Sequence, residues 1–374
     1  MSTPQKLAVF LSFSGAGGVE RMVLNLLPGL VAGSAEPLAI DLVAVKADRV
    51  PVRELPEGVR LVDIGVRSST LSAPALARYL RAERPVAMLA AKDRAIRSAI
   101  IARRLAGAST RIVGRLGTNL AASLEGKGAL ARWARYQPMR WLYPGADRIV
   151  AVSEGVAADT RCITGLPAER VVVVRNPVIT PALSQRAAEP LDHPWFRGDG
   201  PPVILGAGRL TRQKDFPTLL RAFARLRAER QARLVIVGEG EDRGGLEALA
   251  ADLGVADDLD LAGHVDNPYA WMARASLFVL SSAWEGSPNV LTEAIALGTP
   301  VVAADCPSGP RELLQEGRYG PLVPVGDDEA MAAAMADTLA APLAPDVLRR
   351  AACDYTVEAS ARGYLRALGI DVCA

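Results

Sequence analysis

Short apolar runs alternate with stretches of helical periodicity along the whole chain, and no other feature restricts the fold as much. Apolar runs of four to eight residues separated by amphipathic helices are the mark of βα units, which close into parallel sheets covered by helices. In the first half the strand candidates are LAVFLSF (7–13), IDLVAV (40–45), VRLVDIG (59–65), VAMLAA (86–91), RIVGRL (111–116), RIVAVS (148–153) and VVVVRN (171–176). Helical stretches between them include 19–32, 74–83, 95–106 and 129–142. A Pro/Gly-rich stretch at 181–200 has linker composition. The pattern then restarts with VILGAG (203–208), RLVIVG (233–238), LDLAGHV (259–265), LFVLSS (277–282) and PVVAAD (300–305). The expectation is an α/β protein of two domains, 1–180 and 201–354, joined at 181–200, with a cleft between them where a ligand would lie. Residues 346–374 look helical and have no strand partner.

A chain of 374 residues is too long for one ordinary core and suits two. Its apolar half is small and aliphatic, as in a soluble α/β protein, and no apolar run approaches a bilayer-spanning length. The opening KLAVFLSFSG reads as a buried first strand, since its apolar stretch is short and lacks a small-residue cleavage site. Cys162, Cys306, Cys353 and Cys373 have no metal-ligand spacing, and a reduced cytoplasmic setting is the simplest reading. The net charge of +2 conceals an asymmetry. Residues 1–180 carry 25 Lys and Arg against 14 Asp and Glu, whereas the remainder carries 18 against 27. A basic half joined to an acidic one points to an anionic partner for the first half. The helix candidate Arg132-Trp-Ala-Arg135-Tyr-Gln-Pro-Met-Arg140-Trp-Leu-Tyr143 interleaves arginines with aromatics, a composition suited to a membrane–water interface and equally to a core helix.

The chemistry concentrates between 206 and 312. Gly206-Ala-Gly208-Arg209 follows a strand directly, and Lys214 comes five residues later. Two glycines allow a tight turn and close approach. Two cations at the C-terminal end of a strand then sit where an open parallel sheet binds ligands. Arg forks onto phosphate oxygens and Lys acts as a point charge, so the pair suits a diphosphate. Farther on, a strand leads into a polar loop carrying Glu285 and a helix carrying Glu293, with the helix ending at Gly298. Ser287 or Asn289 can cap that helix and Pro288 suits its first turn, giving an anion site at the helix start. Carboxylates beside a diphosphate are accounted for if they accept hydrogen bonds from vicinal hydroxyls of a ribose or a sugar.

These segments resemble the retaining GT-B glycosyltransferases of family 4, the group 1 glycosyltransferases. The resemblance runs through Gly208-Arg209-Leu with Lys214, Val237-Gly238-Glu-Gly240, Gly263, Glu285 to Glu293 as an E-x7-E motif, and Gly298-Thr-Pro300. In the first half it runs through Gly17-Gly18-Val-Glu20, Ala151-Val-Ser153-Glu-Gly155 and Asn176-Pro177. It implies two facing Rossmann-like domains, a last helix at about 355–374 packing back on the first, and a nucleotide sugar held mainly by the second. It also implies transfer with retention of configuration and no metal or other cofactor. Carried over, Arg209 and Lys214 would neutralise the departing diphosphate, Glu293 would hold the ribose and Glu285 the donor sugar. The backbone of Gly286, Ser287, Asn289 and Val290 would contact sugar and phosphate, and Val265 the base. Gly17 and Gly18 would let a loop close over the diphosphate. Asp305-Cys-Pro-Ser-Gly-Pro-Arg311-Glu312 is similar to a branch acting on polyprenyl-diphosphate-linked or other cell-surface glycans. The implied reaction moves a hexose or N-acetylhexosamine from a UDP-linked donor to such an acceptor. The implied location is the cytoplasm, with peripheral contact at an anionic membrane surface.

The chain departs from the family in lacking a histidine in the first domain, where the corresponding region is Arg115-Leu-Gly-Thr-Asn119. His193 reads as structural and His264 as a loop residue near the nucleotide. Asp258-Leu-Asp260 spells the DxD of metal-dependent transferases, but it opens a strand among other surface acids and reads as a solvated turn. A nicotinamide-dependent oxidoreductase is disfavoured, because the glycines before Glu20 lack G-x-G-x-x-G spacing and the next strand ends in Lys46. A UDP-sugar epimerase would bind a similar donor but needs a positioned acid/base set, and none stands out. A non-catalytic membrane-binding or nucleic-acid-binding protein would use the basic half. No nucleic-acid motif is present, and no nucleic-acid partner is expected.

Overall fold

In the computed structural model, which describes residues 4–13, 17–66, 68, 71–198 and 200–373, the chain forms two compact units. One comprises Met1–Val178 and Tyr355–Ala374, the other Ile179–Asp354. Residues 14–16 of the glycine-rich stretch before Glu20 lie outside the described residues.

The first unit contains β1 (Gln5–Ser12), α1 (Gly18–Gly33), β2 (Leu38–Val45), β3 (Val59–Asp63), α2 (Ala73–Glu83), β4 (Ala87–Ala91) and α3 (Asp93–Ala106). It continues with β5 (Arg111–Leu116), α4 (Leu120–Ser123), α5 (Ala129–Leu142), β6 (Arg148–Ala151), α6 (Glu154–Thr164) and β7 (Val171–Val173). All strands pair in parallel in the order β3-β2-β1-β4-β5-β6-β7. Apart from the edge strands β3 and β7, they are buried on both faces and read as continuous apolar runs rather than alternating ones. Leu76, Ile96, Met139 and Val156 of α2, α3, α5 and α6 share one core cluster. In a second cluster, Met22, Leu26 and Leu30 of α1 meet Ala361, Tyr364 and Leu365 of the last helix (Val357–Leu368). Gly29 permits that contact, since a Cβ there would lie 2.7 Å from Val357 Cγ1.

The second unit contains α7 (Pro181–Ala187), β8 (Val203–Ala207), α8 (Phe216–Glu229), β9 (Arg233–Val237), α9 (Arg243–Asp252), β10 (Leu259–Gly263), α10 (Pro268–Arg274) and β11 (Leu277–Leu280). Then follow α11 (Asn289–Leu297), β12 (Val301–Ala304), α12 (Pro310–Leu313), β13 (Leu322–Val323), α13 (Asp328–Ala340) and α14 (Pro345–Ala351), and the last helix, α15, returns to the first unit. The parallel sheet runs β10-β9-β8-β11-β12-β13. The strand order reverses between β8 and β11 here, and between β1 and β4 in the first unit. Rossmann-like sheets bind ligands beyond the strand C-termini at such a reversal.

The stretch 181–200 is not a bare linker. It opens with α7, where Pro181 occupies a first-turn position that costs no hydrogen bond. Arg274 Nη1 donates to the Ala187 carbonyl at 3.0 Å and Asn267 Nδ2 to the Arg186 carbonyl at 2.8 Å, fixing the segment to the second unit. His193 packs among Trp195, Phe196 and Trp271, with Nε2 3.0 Å from Asp260 Oδ2, which is the structural role expected of it.

Candidate functional site

Loops leaving the C-terminal ends of β8 and β11 gather the residues singled out above. Gly208 takes φ +154°, and a Cβ there would lie 2.8 Å from Lys214 Cε, so the lysine side chain crosses directly over the glycine. Gly238, after β9, presses on the same loop: a Cβ would stand 1.9 Å from the Gly208 carbonyl oxygen. Both positions therefore exclude any side chain. Backbone bonds from Gly208 N to Val237 O (3.0 Å), Leu210 N to Glu239 O (3.0 Å) and Gly238 N to Gly263 O (2.7 Å) stitch three loops into one edge.

On that edge Lys214 Nζ donates to Glu285 Oε1 at 2.6 Å, and Ser282 Oγ donates to the same oxygen at 2.8 Å. The carboxylate is 8% exposed and the lysine side chain 16%. Glu285 Oε2 has no hydrogen-bond partner among the described residues. The surrounding bonds hold both loops in register. Ser281 Oγ donates to the Lys214 carbonyl (2.7 Å), Gln213 Nε2 to the Trp284 carbonyl (3.0 Å), and Ala283 N to the Gln213 carbonyl (2.9 Å). Ser281, Ser282 and Gln213 were not singled out from the sequence, where the two serines read as the end of a strand. Arg209 is exposed on the β8 loop and has no ion-pair partner among the described residues. Thus Lys214 and Glu285, assigned separately to phosphate and sugar, are one ion pair.

Helix α11 begins beside Glu285, after Gly286, Ser287 and Pro288. Its cap position is Pro288, and neither Ser287 nor Asn289 caps it with a side chain, contrary to the sequence reading. Proline cannot supply the side-chain oxygen that a cap needs, so the helix start keeps its N–H groups for backbone contacts such as Leu291 N to Pro288 O at 3.0 Å. Asn289 and Val290 open the helix, Glu293 is half-buried one turn in, and Gly298 ends it in a left-handed conformation at φ +85°. Cys306, just past β12, is buried near the pair. Burial pushes its thiol up to about 12, with the Glu285 charge adding to the effect. Val265 is half-buried and His264 exposed on the loop beyond β10.

The DxD acids are engaged elsewhere. Asp258 accepts from Arg227 Nε at 2.7 Å and Asp260 meets His193, both near the N-terminal end of β10 and away from the C-terminal loops. In the first unit Gly17 is the cap position of α1 and Gly18 its first residue. Glu20, 2% exposed, accepts from Lys92 Nζ at 3.1 Å just beyond β4, a second ion pair at a strand-order reversal, buried on the carboxylate side only, that the sequence did not reveal. Arg115 is buried and donates to Asn176 Oδ1 at 2.8 Å.

Two parallel Rossmann-like sheets, with a Gly-Arg-Lys loop and a Glu-bearing helix start at a strand-order reversal, define the architecture of GT-B glycosyltransferases. The family model described as glycosyl transferases group 1 matches residues 201–341, and the glycosyl transferase 4-like domain matches residues 17–177. The chain belongs to the group 1 glycosyltransferases. It is 29% identical over 334 residues, 87% of this chain and 88% of the other, to an N-acetylgalactosaminyltransferase of Campylobacter jejuni. That relative is named for acting on a diacetylbacillosaminyl-diphospho-undecaprenol carrier. It is 28% identical to the lipopolysaccharide core biosynthesis glycosyltransferase LpsE of Rhizobium meliloti, over 88% of this chain and 87% of that one. Among solved structures the lipopolysaccharide outer core galactosyltransferase WaaB superposes with a TM-score of 0.73 at 20% identity, covering 98% of this chain and 99% of that one. The Anabaena protein HepE in complex with UDP superposes with 0.74 at 18% identity, over 98% and 99%. At such identities these two speak for the fold.

Proposed function

We propose that the protein is a retaining, metal-independent transferase of a hexose or N-acetylhexosamine from a UDP-linked donor. Its acceptor is a glycan carried on a polyprenyl diphosphate or comparable lipid, in the synthesis of a cell-surface polysaccharide on the cytoplasmic face of a membrane. The observation that carries this reading is the Lys214–Glu285 pair, held between the β8 and β11 loops beside the start of α11. An ammonium has three donors, so Lys214 can keep Glu285 and still bind a phosphate oxygen. Both bonds to Glu285 fall on Oε1, which leaves Oε2 to accept from a donor hydroxyl. Arg209 is the exposed cation that would fork onto the diphosphate, and Glu293 would accept from the ribose. Backbone N–H groups of Gly286, Ser287, Asn289 and Val290 would complete the phosphate site, as helix starts do elsewhere. Gly208 and Gly238 keep the edge clear of side chains, Val265 would adjoin the base, and Gly17 and Gly18 would flank the diphosphate from their loop.

In this mechanism the bond between the anomeric carbon and the diphosphate breaks as an acceptor hydroxyl attacks from the same face, its proton passing to the departing diphosphate oxygen. Negative charge grows on the leaving diphosphate, where Arg209, Lys214 and the helix start would offset it. Charge placed in advance where it is needed is commonly the largest catalytic contribution. The lipid-linked acceptor is supported by the diphospho-undecaprenol substrate in the Campylobacter relative's name and by the lipopolysaccharide core biosynthesis in the Rhizobium relative's. The test is a thermal-shift screen against UDP, GDP, ADP and their sugar conjugates. A ligand that binds only the folded protein raises its melting temperature. UDP is expected to raise it, and Glu293→Ala to abolish the rise. A rise with GDP or ADP instead would replace the donor, and no rise with any nucleotide would remove the donor site.

A further inference from the structure

Helix α5 carries large apolar side chains on its solvent face as well as its core face. Of its fourteen residues only Met139 is fully buried. Leu130 is 78% exposed, Trp133 56% and Trp141 70%. At 100° per residue, Leu130, Trp133, Gln137 and Trp141 fall on one stripe, and Met139 lies opposite it. The stripe therefore points away from the core. Two tryptophans in water on one stripe are not explained by packing, because packing is what the opposite face does.

Charge converges on the same region. Residues 92–140 hold eleven Lys and Arg against two Asp and Glu, so most of the basic excess of the first 180 residues sits in this segment. Some of these cations are paired: Arg97 and Arg135 both reach Asp93, at 2.8 and 3.1 Å, and Arg103 reaches Asp147 at 2.6 Å. Arg94, Arg104, Lys127 and Arg132 are exposed and have no ion-pair partner among the described residues. Arg94 and Arg104 share the outer face of α3 with Ile101 and Leu105, which are 37% and 51% exposed. Helix α3 is tied to α5 through Arg135–Asp93 and is joined by the Tyr143 hydroxyl, which donates to Asp93 Oδ1 at 3.0 Å.

We propose that α5, supported by α3, is an interfacial helix that seats the protein on the anionic surface of a lipid bilayer. Leu130, Trp133 and Trp141 enter the boundary between headgroups and acyl chains, where indole rings are at home. Arg94, Arg104 and Lys127 face lipid phosphates, and a basic patch of this kind is drawn to anionic lipid. A second copy of the chain does not suit this face, since pairing it with itself would set like charges together. A nucleic acid would meet the cations but gain nothing from Leu130. The proposal draws on the lipid-linked acceptor reading for its purpose, not for its geometry.

The experiment is flotation of the full chain with vesicles of phosphatidylcholine alone, and with about a third phosphatidylglycerol, at low and high salt. The parent protein is expected to bind the anionic vesicles at least about tenfold more strongly than the neutral ones, with part of the binding lost in salt. The double variant Trp133→Gln, Trp141→Gln is expected to lose about tenfold in anionic-vesicle binding. A second variant, Arg94→Glu, Arg104→Glu, Lys127→Glu, is expected to lose the preference for anionic lipid. Both should keep the parent melting temperature and its rise with UDP, since the changes are exposed and lie outside the donor unit. Unchanged vesicle binding in the tryptophan variant overturns the proposal, as does equal binding to neutral and anionic vesicles. Tighter binding to a single-stranded oligonucleotide than to vesicles, lost in the same variants, overturns it in favour of nucleic acid. A parent that binds anionic vesicles as expected but shows no rise with any nucleotide sustains this proposal while removing the donor reading.

Discussion

Lys214 and Glu285 sit 71 positions apart in the chain and 2.6 Å apart in space, largely out of water. Breaking a buried pair from one side leaves an uncompensated charge, which costs more than the pair contributes. Lys214→Met should therefore destabilise the second unit by about 3 kcal/mol, and Glu285→Gln by somewhat less, because Ser282 can still donate to the amide oxygen. The double variant should recover part of the loss, so that urea titrations of the four proteins show a coupling of at least about 1 kcal/mol. Strict additivity would mean that the pair does not hold the two loops together. Arg209 is the opposite case. It is exposed, so Arg209→Ala should leave stability within about 0.5 kcal/mol of the parent. Its effect belongs to the transition state: turnover should fall about a hundredfold while nucleotide affinity changes much less. Turnover near the parent value in that variant would take the diphosphate away from Arg209.

Strands β2 and β3 and helix α2 are locked by one carboxylate. Asp41 Oδ1 accepts from Arg60 Nε at 2.8 Å, while Oδ2 accepts from Arg60 Nη2 and the Tyr79 hydroxyl, both at 2.7 Å. Burial alone would push the carboxyl up, but the hydrogen bonds from Arg60 and Tyr79 outweigh it and hold the group below its ordinary value. A depressed carboxyl contributes stability above the unfolded value of about 3.9 and loses it as pH falls through the folded one. Asp41→Asn should thus cost about 1–3 kcal/mol at pH 7, with the difference shrinking as both proteins are acidified below about pH 4. A gap in urea midpoints that stays constant down to pH 2 would show that the ionised carboxylate is not what matters. None of this network is visible in a linear sequence, because its members are brought together by strand pairing. What the sequence does reveal is each element's kind and core face. α5 was read at its observed bounds, and the strand starts were read closely, since burial on both faces leaves long apolar runs. The strand C-termini were read one to three residues too far, at Ser153, Asn176, Gly208, Gly238, Val265 and Ser282. At those points the chain leaves the sheet to build functional loops, with Gly208 and Gly238 at φ +154° and +140°, and apolar content gives no warning of the turn. Residue types and spacing single out Arg209, Lys214, Glu285 and Glu293 as candidates. The Lys214–Glu285 pair was not legible there, and β13, two residues long, was too short to register.

The chain passes between its units twice, after Val178 and before Tyr355, which makes the second unit continuous in sequence and the first one not. The consequence for folding is asymmetric. Residues 179–354 carry their own six-stranded sheet and core around Leu219, Phe223, Leu234 and Met331. The proposed donor residues Arg209, Lys214, Glu285 and Glu293 all lie inside that span. The first unit needs α15: Tyr364, fully buried, and Leu365 fill the cluster against Met22, Leu26 and Leu30. The crossing segments are tied together as well, with Val178 N donating to the Tyr355 carbonyl at 2.9 Å and Ser360 Oγ to the Arg175 carbonyl at 2.8 Å. Residues 1–178 alone would leave an apolar face of α1 in water, at about 1.5–3 kcal/mol for each large side chain uncovered, enough to consume the marginal stability of a domain. The fragment 179–354 should therefore unfold cooperatively in urea and show a melting temperature raised by UDP. The fragment 1–178 should be aggregated or molten, and joining residues 355–374 to it through a flexible linker should restore a cooperative transition. Gly29→Leu in the joined fragment should abolish that rescue, because the glycine is what lets α15 lie against α1. Cooperative unfolding of 1–178 without the C-terminal segment would mean that α15 is an ornament on the first unit rather than part of its core.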